Sequence, residues 1–341
     1  MTEEPQPAVS STGSRWRLAA LAFSGVSCGA VWWLLAVQSD RLAWLLILPR
    51  WTWLLVGLLF WGLGTRGRTR ATSLTVGLLW LAFTVANIEE ATSLARSLVR
   101  GFRPAAPAAR PLRVVTFNCG GGEEGSIEEA FAQNPDLILF QESPTFGLIQ
   151  RSAAEHWQDQ AALAWEADAS IAARGTLTRR GRSPTGIWTW ATWLPPGDNS
   201  EAIEVVSLRL HPVPLRFDIW TGDCWRQLTR NRETHRAELK ELLRELEGLP
   251  AGRRCIVGGD FNTPARDLSL AALRERFRDP FTEAGVGWGN TIVNGMPVQR
   301  IDQVWITPDL RAIEVRALGS RHSDHALVIC DLALDGPPDE R

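Results

Sequence analysis

CIVGGDFN, residues 255–262, is a short apolar run closed by two glycines, a carboxylate and an amide. Its leading part belongs to the run Arg254–Val257, which has the brief, β-branched, apolar character of a strand, so Asp260 and Asn262 sit just beyond a strand end. The same arrangement recurs in both directions. Downstream, Asp302 precedes the strand-like run Gln303–Ile306, and Asp324 with His325 precedes Ala326–Cys330. Upstream, Asn118 follows Arg113–Phe117, Glu142 follows the run Asp136–Phe140, and His211 follows Ile203–Leu210. Helical signals lie between some of these runs. Ser126 with Glu129 forms a capping box opening a short helix, and Leu239, Leu242, Leu243 and Leu246 have the i, i+3, i+4, i+7 spacing of a helix that stops at Gly248. Strands outnumber long helices, which predicts a layered α/β sandwich with substantial antiparallel content rather than a purely doubly wound sheet. Polar groups at the ends of several strands can converge on one rim of such a sandwich, where a rigid scaffold holds them in register.

Their chemistry is coherent as a set. Asn118, Glu142 and Asp324 offer hard oxygen ligands of the kind that hold Mg²⁺, with Mn²⁺ as the alternative, and such an ion readily bridges to a phosphate. No Cys/His grouping suggests zinc. Asp260, with Asn262 beside it, can orient a water; His211 and His325 can donate to phosphoryl oxygens; and Asp302 can fix the tautomer of His325 and favour its cation. Each residue also has a plainer reading. Glu142 can be a solvated turn residue, Asn118 turn chemistry beside Gly120–Gly122, GDFN an ordinary turn, Asp302 a surface partner of Arg300, His211 a rim histidine, and SDH at 323–325 the turn into the last strand. All the plain readings would have to hold at once. His156, His235 and His322 lack a strand-end context and read as structural. Arg174, Arg179, Arg180 and Arg182, in a region from 143 to 202 with little recognisable pattern, either grip a phosphate or cover a solvated loop.

The 341 residues divide by charge: residues 1–110 carry eleven Arg against five acids, net +6, and residues 111–341 are net −8. An apolar share of 45% and only five Cys exclude a disordered chain, a collagen-like one and a disulfide scaffold. A single Lys, Lys240, and the acidic C-terminal part argue against a protein that grips nucleic acid by bulk charge, though not against a nuclease. From Leu18 to Val37 run twenty uncharged residues, long enough at about 1.5 Å per residue to cross roughly 30 Å of hydrocarbon. A second apolar stretch, 42–64, is broken by Pro49 and Arg50, and a third, 71–88, is uncharged. The expected organisation is a cytoplasmic tail (1–16), a transmembrane region of about three helices (17–102), a Pro/Ala linker (103–111), a catalytic domain (112–334) and a flexible tail (335–341). Arg15 and Arg17 before the first span, and Arg66, Arg68 and Arg70 between the second and third, place those loops in the cytoplasm and the C-terminal domain outside it. Two spans instead of three would reverse that orientation, and a cleaved signal peptide is the competing reading of the first run.

The ordered set TFN (116–118), FQE (140–142), a strand ending in His211, GGDFN (258–262), RID (300–302) and SDH (323–325) resembles the endonuclease/exonuclease/phosphatase superfamily over residues 112–332. The resemblance implies a four-layered α/β sandwich of two packed mixed sheets flanked by helices, and metal-dependent cleavage of phosphoester bonds. It assigns Asn118, Glu142 and Asp324 to the metal, His325 to the phosphate, His211 to the phosphate or to the role of acid, Asp260 and Asn262 to the attacking water, and Asp302 to a histidine. Two departures weaken an abasic-site DNA repair reading: the chain has no Tyr, and Gly120 stands where some nucleases place an Asp. Apolar spans followed by this domain look like the superfamily's membrane-anchored branch, including proteins similar to the teicoplanin-resistance type. That suggests membrane lipids as partners of the N-terminal helices and a lipid-linked phosphate or pyrophosphate as substrate. The alternatives are an extracytoplasmic or membrane-associated endonuclease/exonuclease acting on nucleic acid and a catalytically inactive membrane-anchored binding module. No protein partner is inferable.

Overall fold

The computed structural model describes residues 11–65, 70–102, 111–122, 124–197, 201–213, 216, 218, 220–250 and 252–333. Residues 103–110 of the expected linker, the expected C-terminal tail, and Arg66 and Arg68 lie outside them, as do the first ten residues of the expected N-terminal tail. The backbone divides into two compact units, Met1–Ala91 and Thr92–Arg341.

The first unit contains α1 (Ser11–Val37), α2 (Ala43–Leu46), α3 (Thr52–Gly64) and α4 (Arg70–Asn87). Among the described residues only the α1 segment Arg15–Val37 is by itself long and apolar enough to cross a membrane. Pro49 and Arg50 interrupt the second stretch, so α3 keeps thirteen residues, too few to cover about 30 Å of hydrocarbon. Helix α4 meets the same standard only together with the helix after it, α5 (Glu89–Phe102). The expected three spans thus reduce to one helix of full length, or two if α4 and α5 are taken as one bent span. Small residues set the packing. The Ser24 hydroxyl donates to the Gly57 carbonyl (2.8 Å) and accepts from the Trp80 indole N–H (3.0 Å), and a Cβ at Gly57 would lie 2.0 Å from that indole.

The second unit runs β1 (Leu112–Asn118), α6 (Glu124–Phe131), β2 (Leu137–Gln141), α7 (Phe146–Trp157), β3 (Ala161–Ala164), β4 (Ala169–Arg174), β5 (Thr176–Arg182), β6 (Trp188–Leu194), β7 (Ile203–Arg209), α8 (Gly222–Leu246), β8 (Cys255–Asp260), α9 (Ala271–Arg274), α10 (Pro280–Ala284), β9 (Asp302–Ile306), β10 (Arg311–Leu318) and β11 (Leu327–Ala333). Two sheets form, ordered β10-β11-β1-β2-β4-β3 and β5-β6-β7-β8-β9. Only β1–β2 and β7–β8 pair in parallel, so both sheets are mixed. Between the sheets lies a core that includes Val114, Leu139 and Ile171 from one and Trp193, Val205 and Ile256 from the other. Outer clusters join Phe131, Ile149 and Trp157 of α6 and α7 to the first sheet, and Leu239, Leu242 and Leu246 of α8 to the second. Helix, sheet, sheet and helix make the four layers that the resemblance implied. Each fully buried aliphatic or Phe side chain contributes about 1.5–3 kcal/mol relative to exposure.

Two local expectations are corrected. Ser126 is not a cap: α6 already begins at Glu124, and Ser126 is buried within it. Glu129 instead accepts from the Arg321 amide (2.8 Å) and the Ser320 hydroxyl (2.5 Å), so its carboxylate fastens the loop before β11. The region 143–202 is also richly structured, holding α7 and β3 through β6. Its arginines belong mainly to β5, an edge strand: Arg179 and Arg182 pair with Glu166, and Arg180 donates to the Thr192 hydroxyl (2.6 Å). Charged side chains on an exposed edge discourage pairing with another chain.

Candidate active site

Strand ends carry the site. Asn118 closes β1, and the parallel β1–β2 register sets it beside Gln141, so Glu142 follows directly on the neighbouring strand. Asp260 closes β8 and pairs across the antiparallel ladder with Asp302, the first residue of β9. Asp324 and His325 lie just before β11, which pairs with β1. Glu142 and Asn262 both occupy the left-handed backbone region, at φ 43° and 47°. That conformation is uncommon outside glycine and clusters at functional positions.

Hydrogen bonds tie these residues into one constellation. The Asn118 amide donates to Asp260 Oδ2 (3.0 Å) and Glu142 Oε1 (3.3 Å). Asp260 also accepts from the Asn262 backbone N–H at Oδ1 (2.9 Å) and from its side-chain amide at Oδ2 (3.1 Å). His325 Nδ1 lies 2.8 Å from Asp302 Oδ2, and His325 Nε2 lies 4.0 Å from Asp324 Oδ1. One potential ligand atom from each of Asp260, Asp302 and His325 falls within 4.8 Å of the others. Asp302 is therefore no surface partner of Arg300, which pairs instead with the buried Asp279. Of the eight residues singled out from sequence, seven are brought together. The eighth, His211, is exposed, and it is the backbone that holds it: its N–H donates to Glu238 (3.0 Å) and its carbonyl is bonded to the buried His235 Nε2 (2.7 Å).

Arg209 was not legible as a site residue. It closes β7 in register with Asp260, and its guanidinium reaches Glu142 Oε1 (2.8 Å) and Asp168 Oδ1 (3.3 Å). Only the strand register reveals this, since an Arg near a strand end otherwise reads as a solvated residue. Three further side chains hold the loops. The Ser323 hydroxyl donates to the Asn118 carbonyl (2.7 Å) and accepts from the His325 N–H (3.1 Å), Thr291 accepts from the Asp302 N–H (3.1 Å), and the Asn294 amide donates to the Ser323 carbonyl (2.9 Å).

The electrostatics are unbalanced toward the negative. Glu142, Asp260, Asp302 and Asp324 face Arg209 and His325. Burial, then the charge of Asp302, pushes the Asp260 carboxyl up to about 7. Burial works to lower the His325 imidazolium, but the charge and hydrogen bond of Asp302, reinforced by Asp260 and Asp324, outweigh it and raise the group to about 9. Asp302 Oδ1 is buried with no hydrogen-bond partner among the described residues. An excess of hard oxygen donors, a raised carboxyl and an orphaned carboxylate oxygen together fit a divalent cation at this rim.

A model of the Endonuclease/Exonuclease/phosphatase family matches residues 115–325. The chain belongs to this family. Its members are phosphoesterases and nucleases, generally dependent on a divalent metal, so the chain is an enzyme of the phosphoester-hydrolase class. Two solved structures share the fold. One, an endonuclease/exonuclease/phosphatase from Bacteroides vulgatus, is 15% identical, with a TM-score of 0.52 over 67% of this chain and 100% of that one. The other, a conserved protein of unknown function from Enterococcus faecalis V583, is 14% identical, with a TM-score of 0.50 over 66% of this chain and 100% of that one. No curated protein matches the sequence.

Proposed function

We propose that this chain is a membrane-anchored phosphoesterase whose substrate is a lipid-linked phosphate or pyrophosphate, with its catalytic domain outside the cytoplasm. The convergence of Glu142, Asp260 and His325 through Asn118 and Asp302 carries the catalytic half of the reading. The anchoring half is supported by the first unit's apolar surface. Leu55, Leu59, Leu74, Leu78, Leu81 and Val85 are exposed on its helices, while Ser24 and Ser73 are buried. An apolar exterior on helices whose interior is apolar too, apart from such small polar residues, suits lipid as the surrounding solvent. Membrane tethering confines the enzyme to substrates at the bilayer and raises their effective concentration.

Asn118, Glu142 and Asp324 would hold Mg²⁺ or Mn²⁺, which supplies neutralisation of phosphate oxygens and a fixed orientation for the phosphoryl group. The protein's own groups then divide the remaining work. Three N–H donors, one from Asn118 and two from Asn262, fix the Asp260 carboxylate, which orients the attacking water and accepts its proton. With Nδ1 donating to Asp302, the His325 imidazolium presents Nε2–H to a phosphoryl oxygen and steadies the charge that gathers there. Arg209 holds Glu142 against Asp168. The test is a panel assay with the full-length chain in detergent and Mg²⁺. Phosphate release from dispersed polyprenyl phosphates and little cleavage of oligonucleotide or plasmid is expected. Nuclease activity without release from the lipid would replace this reading with the nuclease one, and no hydrolysis of any phosphoester would replace it with the inactive binding module.

A further inference from the structure

Helix α5 is amphipathic in the reverse sense for a helix on a water-soluble domain. Ser93, Arg96, Ser97 and Arg100, at i, i+3, i+4 and i+7, share one face, and that face is bonded to the catalytic domain. Ser93 Oγ donates to the Gly287 carbonyl (2.7 Å), and Ser97 Oγ accepts from the Gly287 N–H (2.6 Å). Arg96 donates from Nε to the Gly285 carbonyl (2.7 Å) and from its two Nη atoms to those of Thr282 and Phe281 (3.0 Å each). Arg100 donates to the Ile313 carbonyl and pairs with Glu314 (3.1 Å). Leu94, Leu98 and Val99 lie on the opposite side of the helical wheel and are 42%, 70% and 62% exposed. Helix α5 therefore has its arginines turned inward and its leucines outward. With these polar side chains committed to the domain, it cannot serve as the second half of a bent span with α4.

A second group of exposed apolar side chains lies nearer the catalytic rim. The loop that starts at Gly287 carries Trp288, Val293 and Met296, which are 39%, 44% and 76% exposed. The same loop holds the site in place. Thr291 Oγ accepts from the Asp302 N–H (3.1 Å), and the Asn294 N–H donates to the Asp324 carbonyl (2.7 Å).

We propose that the outer face of α5, with Trp288, Val293 and Met296, is seated in the headgroup–acyl boundary of a lipid bilayer and brings the catalytic rim to a phosphoester carried by a lipid of that same leaflet. Chain continuity identifies lipid as the occupant. A single residue, Ile88, separates α5 from α4, in which Ala71–Asn87 has no charge, so the chain enters the domain directly from an apolar helix. Leucine, valine, tryptophan and methionine without a charge among them make a surface that gains by leaving water, and a helix with such a face lies in the plane of the interface. The proposal rests on the membrane anchoring put forward above.

The test places an environment-sensitive fluorophore on Leu98→Cys and Met296→Cys in the full-length chain, reconstituted in vesicles of phosphatidylcholine and phosphatidylglycerol, with Glu155→Cys at an exposed position of α7 as the aqueous reference. All five native cysteines are buried, so labelling is confined to the introduced thiol. The labels at 98 and 296 are expected to be quenched by brominated lipid and to be several-fold less sensitive to iodide than the label at 155. If the chain floats with the vesicles but all three labels respond equally to iodide, the proposal fails and the anchoring stands. If the chain does not float with the vesicles at all, the anchoring itself fails and takes the proposal with it.

Discussion

Arg209 links two neighbouring strands through charge. Its fork spans Glu142 and Asp168, a geometry that a planar guanidinium satisfies and a single ammonium does not. Arg209→Ala is expected to lower kcat/KM for phosphoester hydrolysis by about 10²–10³-fold, the range seen when one preorganised donor is removed, and Arg209→Lys to recover little of it. Steady-state kinetics on both variants, with circular dichroism to show intact folding, decides the matter; unchanged kinetics would remove Arg209 from the site. Sequence reading singled out Asn118, Glu142, Asp260, Asn262, Asp302, Asp324 and His325, which the fold brings together, because each polar residue interrupts or borders an apolar run. Arg209 escaped because its significance lies in a cross-strand register that no local pattern encodes. His235 offers a separate check. Burial lowers its imidazolium below the ordinary value of 6.5. The unfolded chain therefore binds the proton more readily, and the stability this group contributes, complete above pH 6.5, is lost as pH falls through 6.5 toward the folded value. His325, raised, acts in the opposite direction between 6.5 and about 9. Urea midpoints from pH 7 down to pH 5 should consequently fall less steeply in His235→Gln than in the parent, and parallel slopes would refute the assignment.

At the scale of elements, the strands found from sequence are those made of Val, Ile and Leu, and those missed are β3 through β6 and β10. Strand β4, ASIAAR, is rich in alanine, which favours helices, and it becomes a strand because β2 and β3 pair with it on either side. Strand β6, WTWATWL, hides its alternation behind large indoles; Trp193 is buried against the core between the sheets, and Trp188 under α8. Helix α8 was seen only from Leu239 onward, because its first half, from Gly222, carries many charges. The penultimate residue of strand β8 is a glycine that admits no replacement: a Cβ on Gly259 would lie 1.8 Å from the Leu208 carbonyl oxygen. Gly259→Ala is expected to separate the ends of β7 and β8 and destabilise the fold by several kcal/mol, in the range of severe overpacking. Thermal unfolding measures this, and an unshifted midpoint would show that the backbone there gives way freely.

For the whole molecule, net charge and hydropathy alone separate an apolar N-terminal part from a charged C-terminal one. The number of spans was not, because Pro49 and Arg50 leave α3 short and α4 falls below the hydropathy of a span when taken by itself. The inverted face of α5 was also hidden, since Arg and Leu alternate there as they would on any surface helix and only the contacts show which side is turned inward. All five cysteines are buried, and burial pushes the thiols of Cys119, Cys255 and Cys330 upward, that of Cys119 to about 12. A thiol reagent at pH 8 should therefore find no reactive cysteine in the folded chain and all five after denaturation; fast reaction of the native protein would contradict the packing described.

The central claim is that strand ends from both sheets assemble one divalent-cation phosphoesterase site. Its most direct test is the rate of p-nitrophenolate release from bis(p-nitrophenyl) phosphate as Mg²⁺ is titrated into the purified chain, compared with Asp260→Asn. The parent should show saturable, Mg²⁺-dependent hydrolysis abolished by a chelator, with Asp260→Asn at least about 10²-fold slower at an unchanged unfolding temperature. Hydrolysis indifferent to Mg²⁺, or an Asp260→Asn variant as fast as the parent, would contradict it.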